Sequence, residues 1–235
     1  VLTPEQVEGP YYLDDAHVRS DIREDRPGVP LWLDARLVDV RSCAPVEGAA
    51  VDLWHCDAGG RYSGFVAESE RPAPPFGGAF RGPPPGGDPQ MMRGPRPDGP
   101  PPRPRPTDGA RFLRGVQLSS GAGRARFTTI YPGWYTGRAV HIHVRVRTGG
   151  AVRGETYGGG HVAHTGQLYL PEPLSDRVFS TSAYAAHTGE RTTQSEDFIF
   201  RDGGAGGLLD VSKREDGYVA TVTIGIDPTA TPPRR

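Results

Sequence analysis

Lysine is almost missing from this 235-residue chain: Lys213 is the only one among 27 basic residues, and arginine supplies the rest. Arginine offers planar, bidentate anion contacts, although genomic base composition is the simpler cause of such a bias. An excess of one charge is missing too. With 28 acidic residues and a formal net charge of -1, the chain carries no electrostatic footprint for nucleic acid or an anionic membrane. Long apolar runs are absent as well. No stretch approaches the roughly 18 consecutive apolar residues of a membrane span, and no apolar signal-peptide core stands at the N-terminus. A small-molecule partner fits this composition better than a polymer or a lipid surface. Cysteine is scarce, and the spacing of Cys43 and Cys56 matches no zinc pattern. The expected state is a disulfide between them rather than two free thiols. Together with a chain that begins at Val1 instead of methionine, it favours a secreted protein whose export signal has been removed.

Helical periodicity is the next deficit. Short alternating apolar segments recur instead, separated by turns drawn from 33 glycines and 25 prolines. This pattern predicts an all-β fold with an antiparallel β-sandwich core, long loops and few short helices. Strands are expected at 31–40, 49–54, 117–118, 125–129, 140–146, 166–170 and 217–226. Helical turns are expected near Pro4 to Val7, capped by Thr3, and around Ser175 to Phe179. The length suits one domain over residues 31–226, preceded by a segment 1–30. Residues 227–235 are rich in Thr and Pro and read as a tail or linker toward a further module. Between 71 and 106 lie more than half of the prolines, with many glycines and arginines. Proline lacks the ladder donor, so this segment is a surface loop, either a lid or a tolerated insertion.

The strongest local signal is Ala139-Val140-His141-Ile142-His143-Val144-Arg145-Val146, in which two histidines alternate with apolar residues. On a strand both imidazoles share one face, roughly 6 to 7 Å apart, and can converge on one metal ion. A His-X-His pair alone also suits a polar sheet face. Just before it, Tyr131-Pro132-Gly133-Trp134-Tyr135 places a Pro-Gly turn and a tyrosine, and Val51 to Phe65 reads as a buried strand leading into a Gly-rich loop that presents Tyr62.

These segments, with Glu8-Gly9-Pro10-Tyr11-Tyr12 and Gln167-Leu168-Tyr169, occur in the order found in the intradiol ring-cleavage dioxygenases, and the chain resembles that family over most of its length. The resemblance implies a non-haem Fe(III) cofactor, with Tyr62 and His143 as equatorial ligands and Tyr135 and His141 as axial ones. Two phenolates suit a hard, highly charged cation. It further implies cleavage of a catechol-type ring by O2 to a cis,cis-muconate-type dicarboxylic acid, with Tyr135 leaving the metal as a proton acceptor. Arg138 would stabilise an anionic aromatic intermediate, its plainer role being a salt bridge. Gln167 would stand behind the metal, and Val7, Pro10 and Tyr11 near the substrate pocket. Tyr131 is outside the ligand pattern. His55 belongs to the scaffold, and His161 and His164 to a solvated Gly-rich loop. The short segment before the core removes the helical dimerisation region of cytosolic relatives and points to a compact monomer. A non-enzymatic β-sandwich binding module is the alternative. An extradiol dioxygenase would need ferrous iron and a carboxylate ligand, which these positions lack.

Overall fold

The structure is a computed structural model that describes residues 3–14, 17–69 and 105–232. The proline-rich 71–106 segment therefore lies almost wholly outside the described residues. Strand β1 (Pro30–Asp39) shows how the pattern folds: Leu31, Leu33, Ala35 and Leu37 are buried, while Trp32, Asp34 and Arg36 face the other way. It joins β4 (Arg124–Ile130), β8 (Gly217–Ile226) and β7 (Asp210–Arg214) in a sheet of order β4-β1-β8-β7. The second sheet, of order β3-β2-β5-β6, contains β2 (Ala50–Trp54), β3 (Arg114–Leu118), β5 (His141–Arg153) and β6 (Thr156–Tyr169).

One apolar cluster draws on both sheets. Leu31, Leu33 and Leu37 of β1, Phe127 of β4 and Ile224 of β8 meet Val51 and Leu53 of β2 and Ile142, Val144 and Val146 of β5. Each such side chain, fully buried, contributes roughly 1.5–3 kcal/mol. This cluster fixes which face of β5 points inward, so the alternate residues His141, His143, Arg145 and Arg147 must lie on the opposite face.

Several expectations are corrected. The pairing is not wholly antiparallel: β1 and β8 run parallel, Leu31 opposite Tyr218 through Asp39 opposite Ile226. No hairpin can make such a pair, and the whole second sheet lies between them in sequence. Residues 4–7 are not helical. Thr3 instead exchanges hydrogen bonds with Gly225, its amide donating to the carbonyl (2.9 Å) and its hydroxyl accepting from the amide (2.8 Å). Tertiary pairing overrides a weak local preference here. Of the short helices α1 (Val66–Ser69), α2 (Glu172–Phe179), α3 (Ser182–Ala185) and α4 (Phe198–Arg201), the one expected at Ser175 is α2, which begins earlier and has a proline in its first turn. Strand β7 is exposed and lacks apolar alternation, so only its hairpin with β8 reveals it.

Cys43 and Cys56 are both free, the first exposed in the turn after β1 and the second buried after β2. The expected disulfide is absent, and one ground for secretion goes with it. His161 and His164 are not in a solvated loop either, because β5 and β6 continue as one long hairpin across the glycines. His164 is buried with Nδ1 2.6 Å from the Glu5 carboxylate, and His161 is half-buried near the Thr148 hydroxyl. Among the described residues no helix is long and apolar enough to cross a membrane.

Candidate metal centre

The outer face of β5 carries the centre, because the inner face is taken by Ile142 and Val144. Register adds neighbours to that face: Trp54 of β2 lies opposite His143, and Gln167 and Tyr169 of β6 lie opposite His143 and His141. The Trp54 indole stacks on the His143 ring, with centroids 4.9 Å apart and planes at 4°. The His143 imidazole is thus held by a flat, rigid partner before any ligand arrives.

The two tyrosines come from turns that interlock. Asp57 closes the first turn, its carboxylate accepting from the amides of Gly59 (2.9 Å) and Arg61 (3.0 Å), and this aims Tyr62 inward. The Gly133 amide donates to the Asp57 carbonyl (3.1 Å), tying in the turn that holds Tyr135. Gly60 sits at φ +81°, and a Cβ there would stand 2.3 Å from the Trp134 carbonyl oxygen. Only glycine permits both the left-handed backbone and so close an approach. Gly60→Ala is therefore expected to cost about 1–2 kcal/mol for the backbone and ~1–3 kcal/mol for the clash. Calorimetry should show the lowered melting temperature, and reduced metal retention should accompany it as Tyr62 and Tyr135 separate.

The donor atoms converge. His141 Nδ1 donates to the Ala139 carbonyl at 2.6 Å, which leaves Nε2 as a lone-pair acceptor. That Nε2 is 3.1 Å from His143 Nε2 and 3.1 Å from the Tyr135 hydroxyl. Tyr62 packs edge-on against both Tyr135 and His143, at centroid distances of 5.8 and 6.2 Å. Its hydroxyl is buried and has no hydrogen-bond partner. Burial holds both imidazoles well below their ordinary range, so both are neutral, the form in which an imidazole can bind a metal. Burial also raises the phenols, Tyr62 far up and Tyr135 to about 12, with the Arg138 cation opposing the shift at Tyr135. Without a cation this is a cluster of neutral polar groups with an orphaned hydroxyl, which costs free energy. A hard trivalent cation would satisfy all four at once and draw the phenolic protons off. The donor set fits ferric iron.

The remaining expected residues lie around these four. Tyr11 is half-buried and stacks on the Tyr62 ring at 4.7 Å, while Pro10 is exposed. Gly9 lies against the His143 ring, where a Cβ would approach to 3.0 Å. The Val7 carbonyl accepts from Gln167 Nε2 at 3.0 Å, so Val7 acts through its backbone. Gln167 Oε1 accepts from the Tyr169 hydroxyl (2.9 Å) and from the Arg138 guanidinium. Arg138 also makes the salt bridge anticipated as its plainer role, to buried Asp197 at 3.0 Å. His55 is buried in the scaffold, with Nε2 2.7 Å from the Thr129 hydroxyl, and Tyr131 points into the main core and meets the Ser175 hydroxyl at 2.7 Å.

Sequence reasoning stopped at His143, yet the same alternation continues to Arg145 and Arg147. Arg145 pairs with Glu8 and lies over the Tyr12 ring at 4.0 Å, and Arg147 approaches Asp52 at 3.6 Å. Burial pushes the Asp52 carboxyl up to about 7, with Arg147 and the Tyr12 hydroxyl opposing. Its ordinary value is 3.8. Between these values the unfolded chain releases a proton that the folded chain keeps, so the contribution to stability is complete below pH 3.8 and is lost as pH rises to about 7. Asp52→Asn is expected to flatten this decline, by roughly 4 kcal/mol at most, in urea denaturation series across that range.

Comparison with known proteins shows what the whole chain is similar to. The family model described as Dioxygenase matches residues 7–81. A catechol 1,2-dioxygenase of Pseudomonas sp. (strain EST1001) is 36% identical over 75 residues, 30% of this chain and 24% of that protein, so the match spans about a quarter of the curated relative. The dioxygenase domain of a dioxygenase carbohydrate-binding fusion from Streptomyces sp. SirexAA-E shares the fold, with TM-score 0.59 and 24% identity over 97% of this chain and 99% of that one. The solved intradiol ring-cleavage dioxygenase of Tetranychus urticae is 30% identical with TM-score 0.77, covering 99% of this chain and 97% of that one. A likeness that spans nearly all of both chains, joined to the two-tyrosine, two-histidine centre, places this chain in the intradiol ring-cleavage dioxygenase family.

Proposed function

We propose that this chain cleaves catechol-type rings with O2 in intradiol fashion, giving a cis,cis-muconate-type dicarboxylic acid, at non-haem Fe(III) held by Tyr62, Tyr135, His141 and His143. The observation that carries this reading is that His143 Nε2 and the Tyr135 hydroxyl both stand 3.1 Å from His141 Nε2, with the buried, orphaned Tyr62 hydroxyl on a ring packed against Tyr135 and His143. Ferric iron bound there would supply the Lewis acidity that makes a catecholate ring reactive toward O2.

The residues divide the remaining work by mobility. Tyr62 is buried at 1% exposure and wedged among Tyr11, Tyr135 and His143, so it stays in place. Tyr135 is half-buried on a turn and can withdraw, its oxygen taking a proton from the incoming catechol. Arg138 favours the phenolate form of Tyr135 through its charge. Tyr11 offers an apolar ring to the substrate, with Pro10 beside it, and Gln167 holds Arg138 in register. In the same reading the two sheets, which share one apolar cluster, are the facing layers of a sandwich. The Thr/Pro-rich residues after β8 suit a linker to a further module, and the Streptomyces relative is itself a fusion with a carbohydrate-binding protein. Family membership disfavours the binding-module alternative.

Anaerobic titration of iron-loaded protein with catechol, protocatechuate and hydroxyquinol, followed by admission of O2, tests the proposal. A burgundy tyrosinate-to-iron band that shifts with substrate, and a muconate-type product, are expected. A colourless protein, or a yellow semialdehyde product, would overturn it.

A further inference from the structure

Arg138 is an unusual charge to bury, at 3% exposure, and the group that makes it tolerable lies 59 residues away in sequence. Asp197 is fully buried just before the short helix α4 (Phe198–Arg201). Its carboxylate accepts from four directions. Arg138 Nε reaches both oxygens at 3.2 and 3.0 Å, the Ala139 amide donates at 2.9 Å, and the amides of Ile199 (2.8 Å) and Phe200 (3.4 Å) donate from α4. Two of these contacts lead toward the metal centre by separate routes. One runs through the Arg138 guanidinium, whose other end bonds Gln167 and Tyr169 (3.4 Å) and whose backbone amide meets the Tyr135 carbonyl (3.4 Å). The other runs through the Ala139 peptide, whose carbonyl accepts from His141 Nδ1 and so fixes that imidazole's tautomer and tilt.

We propose that Asp197 is the positioning residue of this centre, a single buried carboxylate that anchors the Arg138 guanidinium and the Ala139 peptide and through them aims Arg138 and His141. It touches neither metal nor substrate, so it is not a catalytic residue. Its effect is transmitted, which makes the coupling to Arg138 its signature. The inference rests on the proposed iron chemistry, and wild-type protein loaded and assayed in parallel separates the two. Wild type without bound iron or ring cleavage sinks the functional reading, whereas the variants below address Asp197.

Asp197→Asn keeps a side-chain oxygen that can still accept from the Ala139 amide, leaving the route to His141 in place, but removes the charge opposite Arg138. Iron content is expected to stay near wild type, kcat to fall at least tenfold with KM for catechol changed less than threefold, and the visible band of the anaerobic catechol complex to move. In an Arg138→Gln background the same substitution is expected to lower kcat by less than twofold. A purely structural carboxylate would lower both backgrounds equally and leave the band in place, and that outcome overturns the inference. So does a kcat for the single variant within twofold of wild type. If Asp197→Asn alone does not fold, the double variant, which removes the buried cation with its partner, is expected to fold, with kcat within twofold of Arg138→Gln. A kcat tenfold below that of Arg138→Gln decides against the proposal.

Discussion

Replacing His143 with alanine is expected to empty the centre of iron while leaving the fold standing. His143 supplies one of two Nε2 atoms 3.1 Å apart, and β5 carries no third histidine to replace it. Loss of an outer-shell partner costs about 10- to 100-fold in metal affinity, so loss of a direct donor should exceed that. Metal analysis of the purified variant should find iron at background, and the visible band and ring cleavage should disappear together. The scaffold should persist, because His143 is outside the apolar cluster between the sheets and packs on Trp54, Gly9 and its fellow donors. Far-UV circular dichroism near that of wild type would show this. His141→Ala should behave alike, and retained colour with full turnover in either variant would sink the assignment of the centre.

Tyr135→Phe separates binding metal from using it. Phenylalanine keeps the ring that packs edge-on against Tyr62 and His141, and removes only the oxygen. Three donors remain, and Tyr62 still provides one phenolate, so iron and a shifted visible band are expected to survive. What is lost is the proton acceptor, a role typically worth about 10²- to 10⁴-fold in rate. Steady-state oxygen uptake with catechol should therefore fall by that order at near-normal iron content. Tyr62→Phe offers the contrast, because Tyr62 is buried and immobile, and its loss should reduce metal retention first. A Tyr135→Phe enzyme with kcat within threefold of wild type would remove Tyr135 from the proton-transfer role.

What the sequence made legible follows from the range of the physics involved. Strand periodicity is local, and it located β1, β2, β4 and β8 within a residue or two. His141 and His143 are two apart on one strand, so their shared face could be read directly. Tyr62 and Tyr135 were recognised by resemblance; the reason they meet is the backbone contact between Gly60 and Trp134, which no spacing announces. Asp197 was invisible for the same reason. Its local signal is that of a helix cap, and its partnership with Arg138 exists only after β5 and α4 are brought together. The disulfide expectation fails because an even count of cysteines carries no positional information: Cys56 is buried in the cluster that holds Tyr62, and Cys43 is in an exposed turn.

The parallel pairing of β1 with β8 has a consequence for the order of events during synthesis. All four donors lie between residues 62 and 143, and the sheet around them is complete at Tyr169, whereas β1 waits for Gly217 to gain its second neighbour. At roughly 5–20 residues per second, several seconds separate the emergence of His143 from that of β8. During that interval a nascent chain would hold a nearly finished metal-binding half beside a strand with one open edge. The carboxylate of Asp197 also emerges after the donors it helps to aim. Closure of the first sheet by β8 is therefore the last long-range pairing to become possible, after the half that carries the donors has already emerged.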